Sequence, residues 1–493
     1  MTRPIIGVSH GFHDAALALI HDDQILYAAH AERFSRQKND KNLNWDIATD
    51  MFKYLPEGFH NMDVVYYEKP WLKKTRELYA GQRSDFYWKT SLKPLFPKCK
   101  LHTVGHHESH AAAGYYTSTF SEAAIVVIDA IGEWDTLTVW EARGREMKKI
   151  YSATYPDSLG LLYSAFTKRC GFKPNEEEYI MMAAAAHGNP EYVDDINKEF
   201  FSHEGKHELH LKQNVHLGIG DWLPEARVPE LAASIQHVTE QYLIDLFQWV
   251  GATTRMKNLV FMGGVALNCV ANSKIAARGI FDHIWIMPNP GDAGSSLGAA
   301  LAYKKDFVEW KGPYLGSDID KPKDRRMDSD LDKVVAMLLK GDIVGFTNGR
   351  AEFGPRALGN RSLLADPRYR GSRSKMNLIK NREPFRPFAA SILEEEAHKY
   401  FVMPITTSPY MQYVARVKAP RAFPAICHID STCRVQTVNR EQNLAFHELL
   451  KRWFAATGCP MLMNTSLNIK GTPLVNTWKD AEAFMWVHDV KVF

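Results

Sequence analysis

Between Arg350 and Phe388, eight arginines and two lysines stand against two glutamates and one aspartate. Planar guanidinium forks match phosphate and carboxylate oxygens, so this run points to a small polyanion. Gly354, Pro355, Gly359, Pro367, Pro384 and Pro387 interrupt it, which predicts a series of turns rather than an amphipathic helix. A solvated basic face would not need Phe353, Leu358, Phe385 and Phe388 among its charges. A second constellation is His106-His107-Glu108-Ser109-His110. On a helix, residues four apart share a face, so His106 and His110 can reach one ion while His107 points elsewhere. Asp129 ends the apolar run AIVVID, and Asp292 sits in NPGDAGSS ahead of a helical pattern. Carboxylates at strand ends are where α/β proteins hold ligands, although Asp292 could equally serve as a helix cap. Two imidazoles and two carboxylates suit Fe²⁺, Mn²⁺ or Zn²⁺. A third stretch, Gly263-Gly264-Val265-Ala266-Leu267-Asn268, joins a strand to a helix start, where backbone can approach a phosphate. No phosphate-loop or dinucleotide fingerprint accompanies it. Arg434 lies in CRVQTV, and Ser466 in NTSLN lacks any nucleophile context, so hydrogen bonding is its expected role.

The elements that must position these groups fit a chain too long for one core. At 493 residues two domains are expected, and 45% hydrophobic with 24% charged residues is an ordinary globular balance. The net charge of +3 gives no overall signature of a nucleic-acid coat or a membrane-surface protein. Six cysteines without a CxxC pair predict reduced thiols and a cytoplasmic setting. No window reaches the roughly 18 apolar residues of a membrane span, and the N-terminus does not read as a signal peptide.

Strands are expected at 5–9, 15–20, 25–29, 63–67, 124–128, 136–140, 258–262 and 283–287. Helices are expected at 44–54, 102–118, 159–170, 176–186, 228–249 and from Asp292 to Lys304. The polar stretch 311–330 reads as the domain boundary, and a mixed α/β domain follows, opening with a helix at 331–340 and a strand at 343–347. Lys69 to Lys100 is unusual, with nine basic residues against two acids and Trp71, Tyr79, Phe86, Tyr87, Trp88 and Phe96 between them. Basic residues with aromatics can bind single strands, whereas a lid with solvated lysines and core aromatics has the same composition.

In order along the chain, HHESHAAAGY, SLGLLYSAFT, GFKPNEEEY, GGVALN, GDAGSSLGAA, EFGPRALGNRSLLADPR, IKNREPFRPFA, RVQTV and NTSLNIKGTP resemble the O-carbamoyltransferases of nodulation, cephamycin, tobramycin and ansamycin pathways. The resemblance implies an α/β chain with an actin/sugar-kinase-like domain over 1–320 and a YrdC-like α+β domain over 331–493. It implies that the second domain makes carbamoyl-adenylate from carbamoyl phosphate and ATP with Mg²⁺. The first would transfer the carbamoyl group to an acceptor hydroxyl beside a metal held by His106, His110, Asp129 and Asp292. By the same resemblance Arg356, Lys380, Arg386, Arg434 and Ser466 belong to adenylate formation. His13 becomes a candidate for contacting acceptor or carbamoyl, and Gly263, Gly264 and Asn268 match a nucleotide-binding turn. Two departures stand out: NEEEYI replaces the family's NEGEY followed by lysine, and Thr472 replaces a glutamate in the family's GEP.

The expected acceptor is a small natural product. The alternative is 5-hydroxymethylcytosine as nucleotide or in DNA, for which the 69–100 stretch would supply Lys73, Lys74, Lys89 and Lys93. A reading of another class is a threonylcarbamoyl-type or non-catalytic nucleotide-binding protein. A homodimer and the absence of any membrane partner complete the expectations.

Overall fold

The computed structural model describes residues 3–58, 61–81, 88–202, 207–322 and 327–493, with the side chains of 327–329 excepted. Phe86 and Tyr87 lie outside the described residues. The chain forms two compact units, one of residues 1–31 with 39–310 and the other of 32–38 with 311–493. Where 1–320 and 331–493 were expected as the two domains, residues 32–38 and those from 311 on group with the second unit.

In the first unit, β1 (Ile5–Ser9), β2 (Ala16–His21), β3 (Gln24–His30), β4 (Asp63–Tyr66) and β5 (Lys100–Thr103) form a sheet in the order β3-β2-β1-β4-β5. A second sheet contains β6 (Glu122–Ile128), β7 (Asp135–Arg143), β8 (Glu146–Thr154), β9 (Asn258–Met262) and β10 (His283–Trp285), ordered β8-β7-β6-β9-β10. In each sheet the first three strands make an antiparallel meander, and the last two run parallel beyond the first. The unit is therefore one topology used twice, without visible sequence identity between its halves.

Among its helices are α1 (Pro70–Tyr79), α2 (His106–Tyr115), α3 (Val228–Thr254), α4 (Cys269–Ala277) and α5 (Ser295–Lys304). Each of α2 and α5 follows the last strand of its own half, so the two occupy matching positions. They also pack on each other closely enough that a Cβ on Gly298 would stand 1.9 Å from the carbonyl oxygen of Ser109. No side chain larger than hydrogen fits there.

The segment expected as one helix over 102–118 divides into strand β5 and helix α2. Gly105 separates them, with extended backbone at the helix N-cap. The strand was hidden because KLHT exposes or half-exposes every residue and so lacks an apolar rhythm.

The second unit has a two-stranded ribbon of β11 (Tyr314–Asp318) and β13 (Arg350–Glu352). Its main sheet joins β12 (Val344–Thr347), β14 (Arg361–Ala365), β15 (Ala389–Leu393), β16 (Phe401–Val402), β17 (Val414–Val417), β18 (Thr432–Val438) and β19 (Met461–Ser466). The order is β12-β14-β19-β15-β18-β17-β16, mostly antiparallel with β15 and β18 parallel. The stretch expected as the domain boundary thus supplies a strand to this unit. The arginine-rich run also departs from the expectation of turns alone, because α6 (Arg370–Lys380) is helical for eleven residues. Gly371 falls in its first turn, and its buried face is only Ser372, Met376 and Lys380, too sparse to read as an apolar stripe.

Candidate active sites

Four side chains from three parts of the doubled fold meet in the first unit. His106 and His110 stand one turn apart on α2, Asp129 follows β6, and Asp292 precedes α5. The His110 Nε2 atom lies 3.1 Å from Asp129 Oδ2, 3.3 Å from Asp292 Oδ1 and 3.2 Å from His106 Nε2. His106 Nε2 is 3.6 Å from Asp129 and 3.5 Å from Asp292. One ligand atom from each residue therefore lies within 4.8 Å of all the others. His110 donates its Nδ1 proton to the carbonyl of Pro290 at 3.0 Å, which turns Nε2 toward the carboxylates and makes it the atom that would meet an ion. Asp129 Oδ2 is buried and faces both imidazoles. This donor set could hold a first-row divalent metal ion, because two imidazole nitrogens and two carboxylate oxygens converge and the His110 ring is already oriented by Pro290.

Burial alone would strip protons from His106 and His110, yet the two carboxylates hold both imidazoles above the usual histidine range. Burial likewise opposes charge on Asp129 and Asp292, but the adjacent imidazoles keep both carboxyls low. His107, buried beside the pair, is pushed down instead and hydrogen-bonds Thr138 at 3.0 Å, so it serves the core.

Around the four lie residues that sequence reasoning did not name. Glu133 accepts from the backbone N–H of His106 at 3.0 Å and of Lys69 at 2.7 Å, fixing the first residue of α2. Glu68, at the end of β4, accepts from Lys73 at 2.8 Å and Tyr66 at 3.1 Å, and its other oxygen is 4.0 Å from His106 Nδ1. A carboxylate closing the apolar strand DVVYY was a readable signal, of the same kind that marked Asp129. His13 also comes to the cluster, with Nε2 3.8 Å from Asp292 and Nδ1 3.0 Å from Asp14. Burial pulls its pKa down, but the surrounding carboxylates raise it to about 9.

The paired glycines sit against the same centre. Gly263 has φ of +91°, and a Cβ there would lie 2.1 Å from the Ile128 carbonyl oxygen. A Cβ on Gly264 would come within 3.0 Å of Asp129 Oδ1. Asn268 caps α4 through Ala271 N at 3.1 Å, and its amide exchanges two hydrogen bonds with Gln236 of α3.

The second unit presents a different arrangement. Register places Arg434, Gln436, Ser391, Asn464 and Ser466 on one face of its sheet. The same face is apolar further along, where Leu364, Leu393, Val438 and Leu462 enter a core cluster with Phe446 and Trp453. Lys380 reaches this polar end from the last turn of α6 and donates to Ser466 Oγ at 3.1 Å and Asn468 Oδ1 at 2.8 Å. It also donates to the carbonyl oxygens of Ser466 at 2.5 Å and Asn468 at 2.9 Å. Burial, reinforced by Arg382 and Arg386, pushes its ammonium well below the usual lysine range. Arg386 pairs with Glu383 at 3.1 Å. Arg356 is half-buried in the loop between β13 and β14, whose carbonyls are hydrogen-bonded by Asn464 and Gln436. Thr472, where the family's glutamate is replaced, closes the 469–472 turn with its hydroxyl.

Residues 53–301 match the family described as "Carbamoyltransferase N-terminus", and residues 335–493 match "Carbamoyltransferase C-terminus". The chain belongs to the carbamoyltransferase family. Its relatives include an uncharacterised protein of Synechocystis, 36% identical over 97% of this chain and 93% of that protein. The nodulation protein NolNO of Sinorhizobium fredii is 31% identical, covering 95% and 76% of the two chains. A 3'-hydroxymethylcephem-O-carbamoyltransferase of Amycolatopsis lactamdurans is 29% identical over 95% and 94%. As a member of this family the protein is an enzyme, and a non-catalytic nucleotide-binding reading is set aside. Among the described residues no helix is long and apolar enough to cross a membrane. All six of its cysteines are free thiols.

Proposed function

We propose that this carbamoyltransferase is an ATP-dependent O-carbamoyltransferase working in two stages, one in each unit. The observation that carries the reading is the convergence of His106, His110, Asp129 and Asp292 beside His13. In the second unit, carbamoyl phosphate would lose its phosphate to water, and the carbamate oxygen would attack the α-phosphorus of ATP with pyrophosphate leaving. Arg356, Arg386 and Arg434 would offset the negative charge that this brings together, with Mg²⁺ accompanying ATP. Ser466 would be a hydrogen-bonding group on the same sheet face, held in place by Lys380. This assignment supports a YrdC-like role for the second unit, as the doubled sheet order supports an actin/sugar-kinase-like class for the first.

In the first unit the acceptor oxygen would attack the carbamoyl carbon, with AMP leaving. A divalent cation, Fe²⁺ in our assignment, would be held by the four side chains and would polarise the carbamoyl carbonyl. His13, oriented by Asp14, would contact the acceptor hydroxyl or the carbamoyl group. The glycine turn with Asn268 would border the nucleotide end of the adenylate.

A cleft lined by Gly11, Phe12, Glu68, Pro70, Lys73, Lys74 and Glu77 adjoins this centre, since Phe12 precedes His13 and Glu68 neighbours His106. It favours a small acceptor over nucleic acid. Lys73 is committed to Glu68, and Trp88 is stacked on Tyr66 at 5.3 Å, so the 69–100 stretch spends part of its charge and stacking surface internally. The test is mass spectrometry of hydroxylated small molecules and of a hydroxymethylcytosine oligonucleotide incubated with enzyme, ATP and carbamoyl phosphate. One added carbamoyl group on a small hydroxyl compound, lost in His13→Ala, is expected. Carbamate on the oligonucleotide alone would transfer the assignment to DNA, and ATP-independent transfer would remove the adenylate stage.

A further inference from the structure

The loop from Phe353 to Asn360 has no regular structure, so its backbone groups must find partners elsewhere. A single carboxylate oxygen takes two of them, together with the N–H of the first residue of β14. Glu352 is 3% exposed, and its Oε1 accepts from the N–H groups of Leu358 at 2.7 Å, Asn360 at 2.9 Å and Arg361 at 3.2 Å. The carbonyls are held from other directions. Arg33 donates to Gly354 O at 3.0 Å, and Asn464 to Ala357 O at 3.3 Å. Leu358 O receives both Gln436 at 2.9 Å and Tyr314 OH at 2.9 Å. The loop is thereby pinned on both sides of Arg356, whose side chain remains half-buried.

Converging backbone N–H groups are how proteins make anion sites, and here the protein's own carboxylate fills the position. A buried carboxylate is a costly way to close a turn, because charge loses hydration and a neutral acceptor would satisfy the same donors. That cost is offset by the buried guanidiniums of Arg33 and Arg361, whose charge Glu352 balances, and the charge also stiffens the loop, since charge-assisted hydrogen bonds are roughly twice as strong as neutral ones. We infer that Glu352 is a positioning residue for adenylate formation. By gathering three N–H groups it fixes the loop that presents Arg356 to the polyanion over the sheet face carrying Arg434 and Ser466. The inference rests on the adenylate reading of the second unit. Glu352 itself does not touch substrate.

The experiment is carbamoyl-phosphate-dependent ATP–pyrophosphate exchange by the full-length chain. It compares Glu352→Ala, Glu352→Gln, Arg356→Ala and the double variant Glu352→Ala/Arg356→Ala. Glu352→Ala should raise the KM for carbamoyl phosphate roughly 10- to 100-fold, the scale of a misplaced catalytic contact. Glu352→Gln, which keeps a carbonyl acceptor, should fall between Ala and wild type. The double variant should be no worse than Arg356→Ala alone, because Glu352 acts through Arg356. An unchanged KM overturns the inference, and so do effects that multiply in the double variant. A fall in melting temperature with KM intact would reduce Glu352 to a structural group. Wild-type enzyme without any exchange would instead strike the adenylate reading itself.

Discussion

The two candidate sites differ in how their charges are partnered. In the first unit, two imidazole nitrogens and two carboxylate oxygens crowd into a few ångströms with only one another as partners at the centre. A divalent cation could take the place of the imidazole protons at that centre. In the second unit, the cations already have partners: Lys380 is saturated by two side-chain and two backbone oxygens, and Arg361 donates to backbone carbonyls throughout its guanidinium. Basic residues close in sequence therefore divide into a scaffold and a smaller set that can face a ligand. A count of charges along the chain does not make that division; the hydrogen-bond partners do.

Breaking the first site should have the largest effect. His110→Ala removes a ring nitrogen that lies within 3.3 Å of both carboxylates. Loss of one ligand should weaken Mn²⁺ affinity by about 100-fold or more, exceeding the usual cost of disturbing a ligand's outer partner. Titration calorimetry of the metal-free protein checks this, and exchange in the second unit should be retained. Equal loss of both activities would mean that the sites are not separable.

Lys380→Met tests the scaffold. It strands buried oxygens of Ser466 and Asn468, a change expected to cost about 1–3 kcal/mol per unpaired group. The expected result is a lower melting temperature, with exchange falling as the 466–468 turn loosens. Unchanged stability with lost exchange would return Lys380 to the set of ligand-facing cations.

The smallest effect should come from Glu383, paired with Lys470 and Arg386 at the surface. Burial is the largest single influence and raises its carboxyl, but Lys470, a backbone N–H and Arg386 together prevail and lower it to about 2 from 4.5. Its stabilisation is therefore complete above about pH 4.5 and disappears as pH falls through 2. Glu383→Gln should flatten the acid limb of a melting-temperature profile in that window by a small margin, since the pair is solvent-screened. A profile identical to wild type would show that the pair contributes nothing.

The first site was largely legible because its signals are local. His106 and His110 share a face by spacing alone, and Asp129 announces itself by ending an apolar strand. Strand β9 at 258–262 was also read to the residue, since an unbroken apolar run bounded by turn residues has few alternatives. What stayed hidden depends on distant chain. The orientation of His110 rests on Pro290, and the start of α2 on Glu133, neither of which has a sequence signature. Strands β5 and β11 were missed because each lies in polar sequence and pairs at the edge of its sheet or ribbon. In the second unit only the strand at 343–347 was expected, and register alone shows that Arg434 and Ser466 lie on strands and share a face.

Residues 32–38 carry a consequence for how the molecule is made. They fold with the second unit although residues on both sides of them belong to the first. During synthesis they leave the ribosome more than two hundred residues before the rest of that unit. At about 5–20 residues per second, the delay is roughly ten seconds to a minute. Through that interval Arg33 and Arg36 wait without the carbonyls of Gly354 and Leu474 that will receive them. The second unit is thus completed by a piece of chain translated early, and a fragment beginning at Lys311 would lack it.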